Sequence, residues 1–140
     1  MELRTYYDFA NDDYKFIKAA IEAGITANSL GAMAQNTCER FIKHLINQYI
    51  PVTAKNQSEM TEVLSTHNLN RLISYWNSKS AIKINSETVG ALKKVNGYYF
   101  STKYPGDDSQ TLTKRDYETC MDSVEKCKAC VDSIIEQLQN

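Results

Sequence analysis

Apolar side chains recur every three to four residues along most of this chain, which is the spacing of a helix with one buried face. The pattern predicts a first helix over residues 3–23. A second helix is predicted to begin at Asn28 or Ser29, either of which can cap its free amides, and to end at Pro51. The predicted buried stripe of this second helix comprises Leu30, Ala34, Cys38, Phe41, Leu45 and Tyr49.

The same spacing continues in the middle of the chain. It predicts a short helical turn over residues 59–64 and an amphipathic helix over residues 68–77. Ser86 is placed to cap a further helix, which is predicted to carry Tyr99 on its inner side. We therefore expect the middle of the chain to be helical, with loops near residues 52–58 and 79–85.

A strong turn signal separates the last helix from the others. Residues 103–108 contain Pro105, which fixes φ and lacks an amide donor, so no helix passes through it. Thr113 and Asp116 then approximate a capping box at the start of a final helix. Its predicted buried stripe consists of Tyr117, Cys120, Val124, Cys127, Val131, Ile134 and Leu138.

The composition supports one helical domain. The chain has 140 residues, enough for one core, and only two prolines and five glycines interrupt it. No linker or internal repeat divides it. We predict an all-α protein, a single domain over residues 1–140 folded as an up-and-down antiparallel bundle of about five helices.

Charge and hydropathy exclude some classes of protein. The formal net charge is −1, so the chain lacks the overall basic excess of a dedicated nucleic-acid-binding protein, although a local basic patch is compatible with it. No apolar run approaches the length of a membrane span, and the N-terminus lacks the apolar core of a signal peptide. We therefore expect a cytoplasmic protein without a membrane anchor.

The four cysteines are expected to pack in the core. Cys120 and Cys127 lie in the predicted apolar stripe of the last helix, where a free thiol behaves as a small hydrophobic group. Cys127 and Cys130 form a CxxC pair inside a helical pattern, and no second pair accompanies it as a zinc site would require. We expect no metal site and no cofactor.

Three places carry side chains suited to phosphate chemistry, and each has a structural alternative. Arg40 and His44 could act on RNA as phosphate ligand and acid or base, or could lie on a solvated helix face. His67 could act in catalysis or contact a ligand, or it could have a structural role and hydrogen-bond the start of its helix or a neighbouring helix. Lys103 and Tyr104 could hold a phosphate or base, or form a rigid turn with the tyrosine packed inward.

Glu39 and Lys43 form another pair in the second helix. They are four residues apart in the order that favours an ion pair on an exposed helix face. Arg40 and Lys43 are three residues apart on one face, which would let both attract a phosphate.

Taken in order, these motifs resemble those of the small prokaryotic HEPN proteins, a family named for higher eukaryotes and prokaryotes. The resemblance covers nearly the whole chain. Its matched positions are Ala10, Asp13 and Tyr14 in the first helix, Gln35, Glu39, Arg40 and Lys43 in the second, His67 and Leu69 at the start of the third, and the stretch from Tyr98 to Pro105.

The resemblance implies a helical bundle that forms a homodimer and works with a partner, commonly a minimal nucleotidyltransferase, in toxin–antitoxin or defence systems. Many family members are metal-independent ribonucleases with an Arg, four to six intervening residues and a His. Arg40 and His44 have only three residues between them. This departure favours the branch of the family that is proposed to bind nucleotides.

Three functions remain as hypotheses. The first is a non-catalytic module that binds a nucleotide or a nucleic-acid phosphate and acts with a partner protein. The second is a ribonuclease toxin with a degenerate site at Arg40 and His44, and the third is a structural interaction subunit. The residues expected to bind the ligand in the first hypothesis are Lys103, Tyr104, Arg40, Lys43 and His67.

Overall fold

The computed structural model describes residues 2–140, and every regular element in that range is an α-helix. Five helices of ten or more residues agree with the predicted all-α bundle of about five helices. None of the described helices is long and apolar enough to cross a membrane. The helices of residues 2–140 are α1 (Tyr6–Glu22), α2 (Ser29–Tyr49), α3 (Gln57–Leu64), α4 (Leu69–Lys79), α5 (Ser86–Val95), α6 (Tyr98–Ser101) and α7 (Lys114–Gln139).

Helix α2 is the centre of the bundle and contacts each of the other described helices. Its long apolar face meets α1 on one side and α7 on another, and the short connection over residues 23–28 turns the chain back between α1 and α2. Burial of each large apolar side chain here contributes about 1.5–3 kcal/mol. The largest apolar side chains with almost no exposed surface are Trp76, Phe41, Ile17, Ile42, Leu45, Ile46, Leu69, Leu72, Leu92 and Ile134.

The two outer long helices begin with reciprocal capping boxes. Thr113 accepts a hydrogen bond from the backbone N–H of Asp116, and the Asp116 carboxylate accepts one from the backbone N–H of Thr113, which confirms the predicted start of the last helix. Thr5 and Asp8 form the same arrangement at the start of α1. The first helix therefore begins at Tyr6, slightly later than predicted.

The predicted cap at the start of α2 is wrong. Helix α2 begins at Ser29, but the Asn28 side chain makes no capping hydrogen bond. Its amide group instead donates to the carbonyl oxygens of Thr102 and Gln110 and accepts from the backbone N–H of Leu112, at 2.8–2.9 Å. Asn28 therefore anchors both ends of the segment over residues 102–112 to the bundle.

The helix predicted to run from Ser86 to Tyr99 is interrupted. Helix α5 ends at Val95, and Gly97 adopts φ +106°, a left-handed conformation that favours glycine. The chain then forms the four-residue α6, in which Tyr99 is only partly buried. The N-terminal cap of α5 is Asn85, whose side chain accepts from the backbone N–H of Thr88, so Ser86 is not the cap.

Candidate functional site

Three polar side chains at intervals of four residues form one buried face of α2. Gln35 and Glu39 have no exposed surface, and Lys43 is 7% exposed. The prediction that Glu39 and Lys43 lie on an exposed face is therefore wrong. Tertiary packing causes the difference, because the segments that start α4 and α6 cover this side of the helix.

Gln35 joins three segments through its amide group. Its carbonyl oxygen accepts from the backbone N–H groups of Gly97 and Tyr99, at 3.0 and 2.7 Å. Its nitrogen donates to the His67 carbonyl oxygen at 2.6 Å and to the Glu39 carboxylate at 3.0 Å. Both ends of the amide are thus satisfied, and α6 and the start of α4 are held at α2.

The buried Glu39 carboxylate receives three donors. Its Oε2 accepts from Gln35, and its Oε1 lies 3.0 Å from Nδ1 of His67 and 3.4 Å from Nζ of Lys43. A buried carboxylate is tolerated only when it is paired and hydrogen-bonded, and these three partners meet that requirement. We call Gln35, Glu39, Lys43 and His67 the buried polar network.

His67 is the member of this network that reaches the surface, where its ring stacks on Tyr99. Its imidazole lies on the Tyr99 ring with centroids 3.9 Å apart and planes 12° apart. Because His67 covers one face of Tyr99, the Lys103 ammonium, 4.4 Å from the same ring centroid, occupies the other face. His67 and Lys103 are therefore separated by a single aromatic ring.

Lys103 is an exposed cation at the corner after α6. Its ammonium lies 5.6 Å from the Tyr104 ring centroid as well, and it has no carboxylate within ion-pair distance in the described part of the chain. The pKa of Lys103 is raised, chiefly by its interaction with the Tyr99 side chain and further by Tyr104, and desolvation opposes that rise only partly.

The surface beside Lys103 is aromatic and partly acidic. Phe100 is 60% exposed and Tyr104 54% exposed, so the alternative in which Tyr104 packs inward is wrong. Both rings line an open cleft of about 500 Å³, together with Pro105, Asp107 and Asp108. The cleft offers stacking surface, and its two carboxylates favour hydrogen-bond donors over further anions.

Arg40 points away from this corner. Its guanidinium pairs with the Asp13 carboxylate of α1 at 2.7 Å and lies 6.0 Å from the Phe9 ring centroid. Burial raises the pKa of Asp13, and the charge of Arg40 opposes that rise. The structure brings Lys43, His67, Lys103 and their neighbours together, and it directs Arg40 to α1.

His44 lies on the α1 side of α2, next to Arg40. Its ring makes edge contacts with Tyr7 and Tyr49, with centroids 5.4 and 6.2 Å away, at a cleft of about 380 Å³. The Nδ1 atom is buried and has no hydrogen-bond partner. Burial lowers the pKa of His44, and Asp8 opposes that effect only partly.

This environment opposes a role for His44 as a catalytic base. A base that accepts a proton on Nε2 carries protons on both ring nitrogens, and the second would lie on the unpartnered Nδ1. Burial also disfavours the charged imidazolium, which is why the pKa of His44 is lowered. His44 is therefore neither on the solvated face that one interpretation predicted nor well placed for general base catalysis.

The cysteines lie in the core, as predicted. Cys38, Cys120, Cys127 and Cys130 are all buried and unbridged. The Cys127 thiol donates to the Cys38 carbonyl oxygen at 3.7 Å, and burial raises the pKa of Cys120 to about 12. Within residues 2–140, no three His, Cys, Asp or Glu side chains converge as a metal site would need.

The pattern of apolar positions did not predict that the Gln35 side chain hydrogen-bonds the backbone at the start of α6. The sequence contained a signal for it, because each of the three network residues on α2 directly follows an apolar residue. Ala34, Cys38 and Ile42 precede Gln35, Glu39 and Lys43 in turn. Polar residues that flank a buried stripe at intervals of four are candidates for a buried network rather than a solvated face.

Comparison with known families identifies this architecture. The family model described as HEPN domain matches residues 3–134, which is nearly the whole chain and includes α1 to α6 and most of α7. Neither the curated proteins nor the solved structures compared with the chain gave a match. Because the family match extends over all the packed helices, the chain belongs to the HEPN domain family.

Proposed function

We propose that this protein binds the phosphate of a nucleotide at the corner formed by Lys103, Tyr104 and His67, without cleaving the ligand. The nucleotide is either free or a unit of a nucleic-acid strand. One observation carries the proposal: Lys103 is an exposed ammonium beside the rings of Tyr99 and Tyr104, with no carboxylate within ion-pair distance in the described residues.

The other predicted cations take supporting roles in this proposal. Lys43 is almost completely buried and neutralises Glu39, and Arg40 is paired with Asp13. An ammonium or guanidinium that already has a carboxylate partner gains less from a phosphate than one surrounded by water and aromatic rings. Lys103 is therefore the principal phosphate ligand, and Lys43 fixes the network beneath it.

Exposed aromatic rings beside Lys103 support a nucleotide over a simple phosphate. Phe100 and Tyr104 are exposed aromatic residues that line a cleft of about 500 Å³, a volume within the usual range for small-molecule sites. Bases stack on such rings with about 1–3 kcal/mol per base. A cation for the phosphate and rings for the base thus lie at one corner.

A protein partner is also part of the proposal. Phe9 and Phe16 are 45% and 56% exposed and lie seven residues apart, on one side of α1. We propose that this face contributes to a homodimer or to contact with a nucleotidyltransferase, and that the pair acts in a toxin–antitoxin or defence system. Family membership and the exposed apolar face support this part.

Binding measurements with matched variants test the proposal. Calorimetry and fluorescence anisotropy with nucleoside triphosphates and with single-stranded RNA and DNA distinguish a free nucleotide from a strand. Lys103→Ala is expected to weaken binding about 10- to 100-fold, the usual contribution of one charged hydrogen bond. Lys55→Ala removes an exposed lysine near Lys79, at the far end of α4 from His67, and is expected to change little.

Two results would contradict the proposal. One is the absence of binding across the whole nucleotide and oligonucleotide panel, and the other is equal affinity of the Lys103→Ala and wild-type proteins. Gel analysis of the RNA after incubation tests the ribonuclease hypothesis in the same samples. Cleavage that disappears in His44→Ala would support that hypothesis, whereas intact RNA agrees with a binding module.

A further inference from the structure

The Glu39 carboxylate determines which nitrogen of His67 carries the hydrogen. A carboxylate only accepts hydrogen bonds, and its Oε1 lies 3.0 Å from Nδ1 of His67. In the neutral imidazole the hydrogen is therefore on Nδ1, and Nε2 presents a lone pair. Carboxylates fix histidine tautomers in this way at many sites where the second nitrogen acts on a ligand.

The acceptor nitrogen is accessible. The His67 side chain is 37% exposed, and its Nε2 makes no hydrogen bond to any of the residues 2–140. Stacking on Tyr99 and the bond to Glu39 hold the ring in one orientation. The site thus presents an oriented acceptor at His67 and an exposed cation at Lys103, with the Tyr99 ring between them.

A group that binds both must carry an anion and, a short distance from it, a hydrogen-bond donor. Ribose meets this requirement, because its 2′-hydroxyl can donate in a free nucleotide and also inside an RNA strand, where the 3′ oxygen is esterified. Deoxyribose has no donor at that position. Proteins commonly use the 2′-hydroxyl to distinguish RNA from DNA.

We infer that His67, oriented by Glu39, accepts a hydrogen bond from the ribose 2′-hydroxyl of the nucleotide whose phosphate binds Lys103, and so selects ribonucleotides over deoxyribonucleotides. This inference rests on the proposed function. His67 is then the specificity-determining residue of the site, and Glu39 is a positioning residue that acts through it.

Sugar analogues test the inference on the wild-type protein. The probes are the four ribonucleoside triphosphates, their 2′-deoxy counterparts, and the 2′-deoxy-2′-fluoro form of the tightest binder. A single-stranded RNA, the DNA of the same sequence and its 2′-fluoro form make the same comparison for a strand. The ribose form is expected to bind about three- to tenfold more tightly than the deoxy form, the value of one neutral hydrogen bond.

The fluoro analogue distinguishes an acceptor from a donor at His67. Fluorine cannot donate, so the 2′-fluoro ligand is expected to bind as weakly as the deoxy ligand. His67→Phe retains an aromatic ring on Tyr99 but lacks the acceptor, and is expected to bind all three forms with the affinity of the deoxy form. Circular dichroism checks that this variant keeps the helical fold.

The outcomes separate the two proposals. Equal binding of ribose and deoxy forms by the wild-type protein, fluoro binding as tight as ribose binding, or a ribose preference that persists in His67→Phe would each overturn the role of His67. Binding that still depends on Lys103 in those cases leaves the proposed function standing. Failure of every probe to bind overturns the proposed function and this inference together.

Discussion

The Glu39 carboxylate contacts Nδ1 of His67 across 3.0 Å, from a position with no exposed surface to a side chain that reaches the solvent. This contact connects the interior of the bundle to the candidate site. Lys43 and Gln35 are the other hydrogen-bond partners of the carboxylate, so the buried charge is both paired and hydrogen-bonded. The site is therefore built on a buried, hydrogen-bonded network.

Removing the buried carboxylate is expected to cost much stability. Glu39→Ala leaves the buried Lys43 ammonium without its carboxylate partner and removes one of the two acceptors of the Gln35 nitrogen. Loss of one member of a buried ion pair costs about 3–5 kcal/mol. Glu62→Ala is the matched control, because the Glu62–Arg71 pair is exposed and contributes about 0–1 kcal/mol. Urea unfolding measures both values, and similar losses would refute the buried network as a stability element.

The hydrogen bonds of the Asn28 side chain to residues 102–112 are expected to hold the candidate site in place. Asn28→Ala removes three hydrogen bonds to residues 102–112, so the Lys103 corner should become mobile and nucleotide binding should weaken. Hydrogen exchange at the Leu112 amide reports the loss directly, because that amide bonds to Asn28. Asn47→Ala, at an exposed position of α2, is the control. Equal exchange rates of the Leu112 amide in both variants would contradict this role of Asn28.

His44 should make stability depend on pH just below its ordinary pKa. Burial lowers the pKa of His44 from 6.5 in the folded protein, so the unfolded chain binds the proton more readily. The stability that the neutral form of His44 contributes is complete above about pH 6.5. It is lost as the pH falls from there through the lower pKa of the folded protein. Urea midpoints measured through this range should fall less steeply for His44→Phe than for the wild type. If the urea midpoints of the two proteins fell equally with pH, His44 would not be the source of the pH dependence.

The two carboxylates of the cleft should oppose phosphate binding. Asp107 and Asp108 line the same cleft as Tyr104, the neighbour of Lys103. Replacing both with asparagine removes two negative charges and is expected to tighten nucleotide binding severalfold at low salt, with a smaller gain at high salt because ions screen the repulsion. Titrations at two ionic strengths measure this effect. Weaker binding by the double variant would instead show that the carboxylates contact the ligand.

The core cysteines should resist alkylation while the protein is folded. Only thiolates react readily, and burial both excludes the reagent and raises the pKa of Cys120 to about 12. Mass spectrometry after iodoacetamide treatment should detect unmodified protein under native conditions and four modifications after unfolding in denaturant. Rapid labelling of the folded protein would contradict the packing of these side chains.

The spacing of apolar residues was enough to predict the helical bundle and most helix positions. Helix formation depends on contacts between residues three or four apart, and such local signals are present in the sequence. The capping box of Thr113 and Asp116 was predictable for the same reason, because its two partners are three residues apart. The burial of Cys38, Cys120 and Cys127 also followed from their places in the predicted apolar stripes, to which Cys130 does not belong.

Only the tertiary structure decided which polar residues of α2 are buried and where each cation points. Arg40 and Lys43 have similar positions on one helix, yet Arg40 pairs with Asp13 and Lys43 with Glu39. The stack of His67 on Tyr99 joins residues 32 positions apart. Such choices depend on how distant segments pack, and a one-dimensional pattern contains periodicity but not the neighbours that each face will meet.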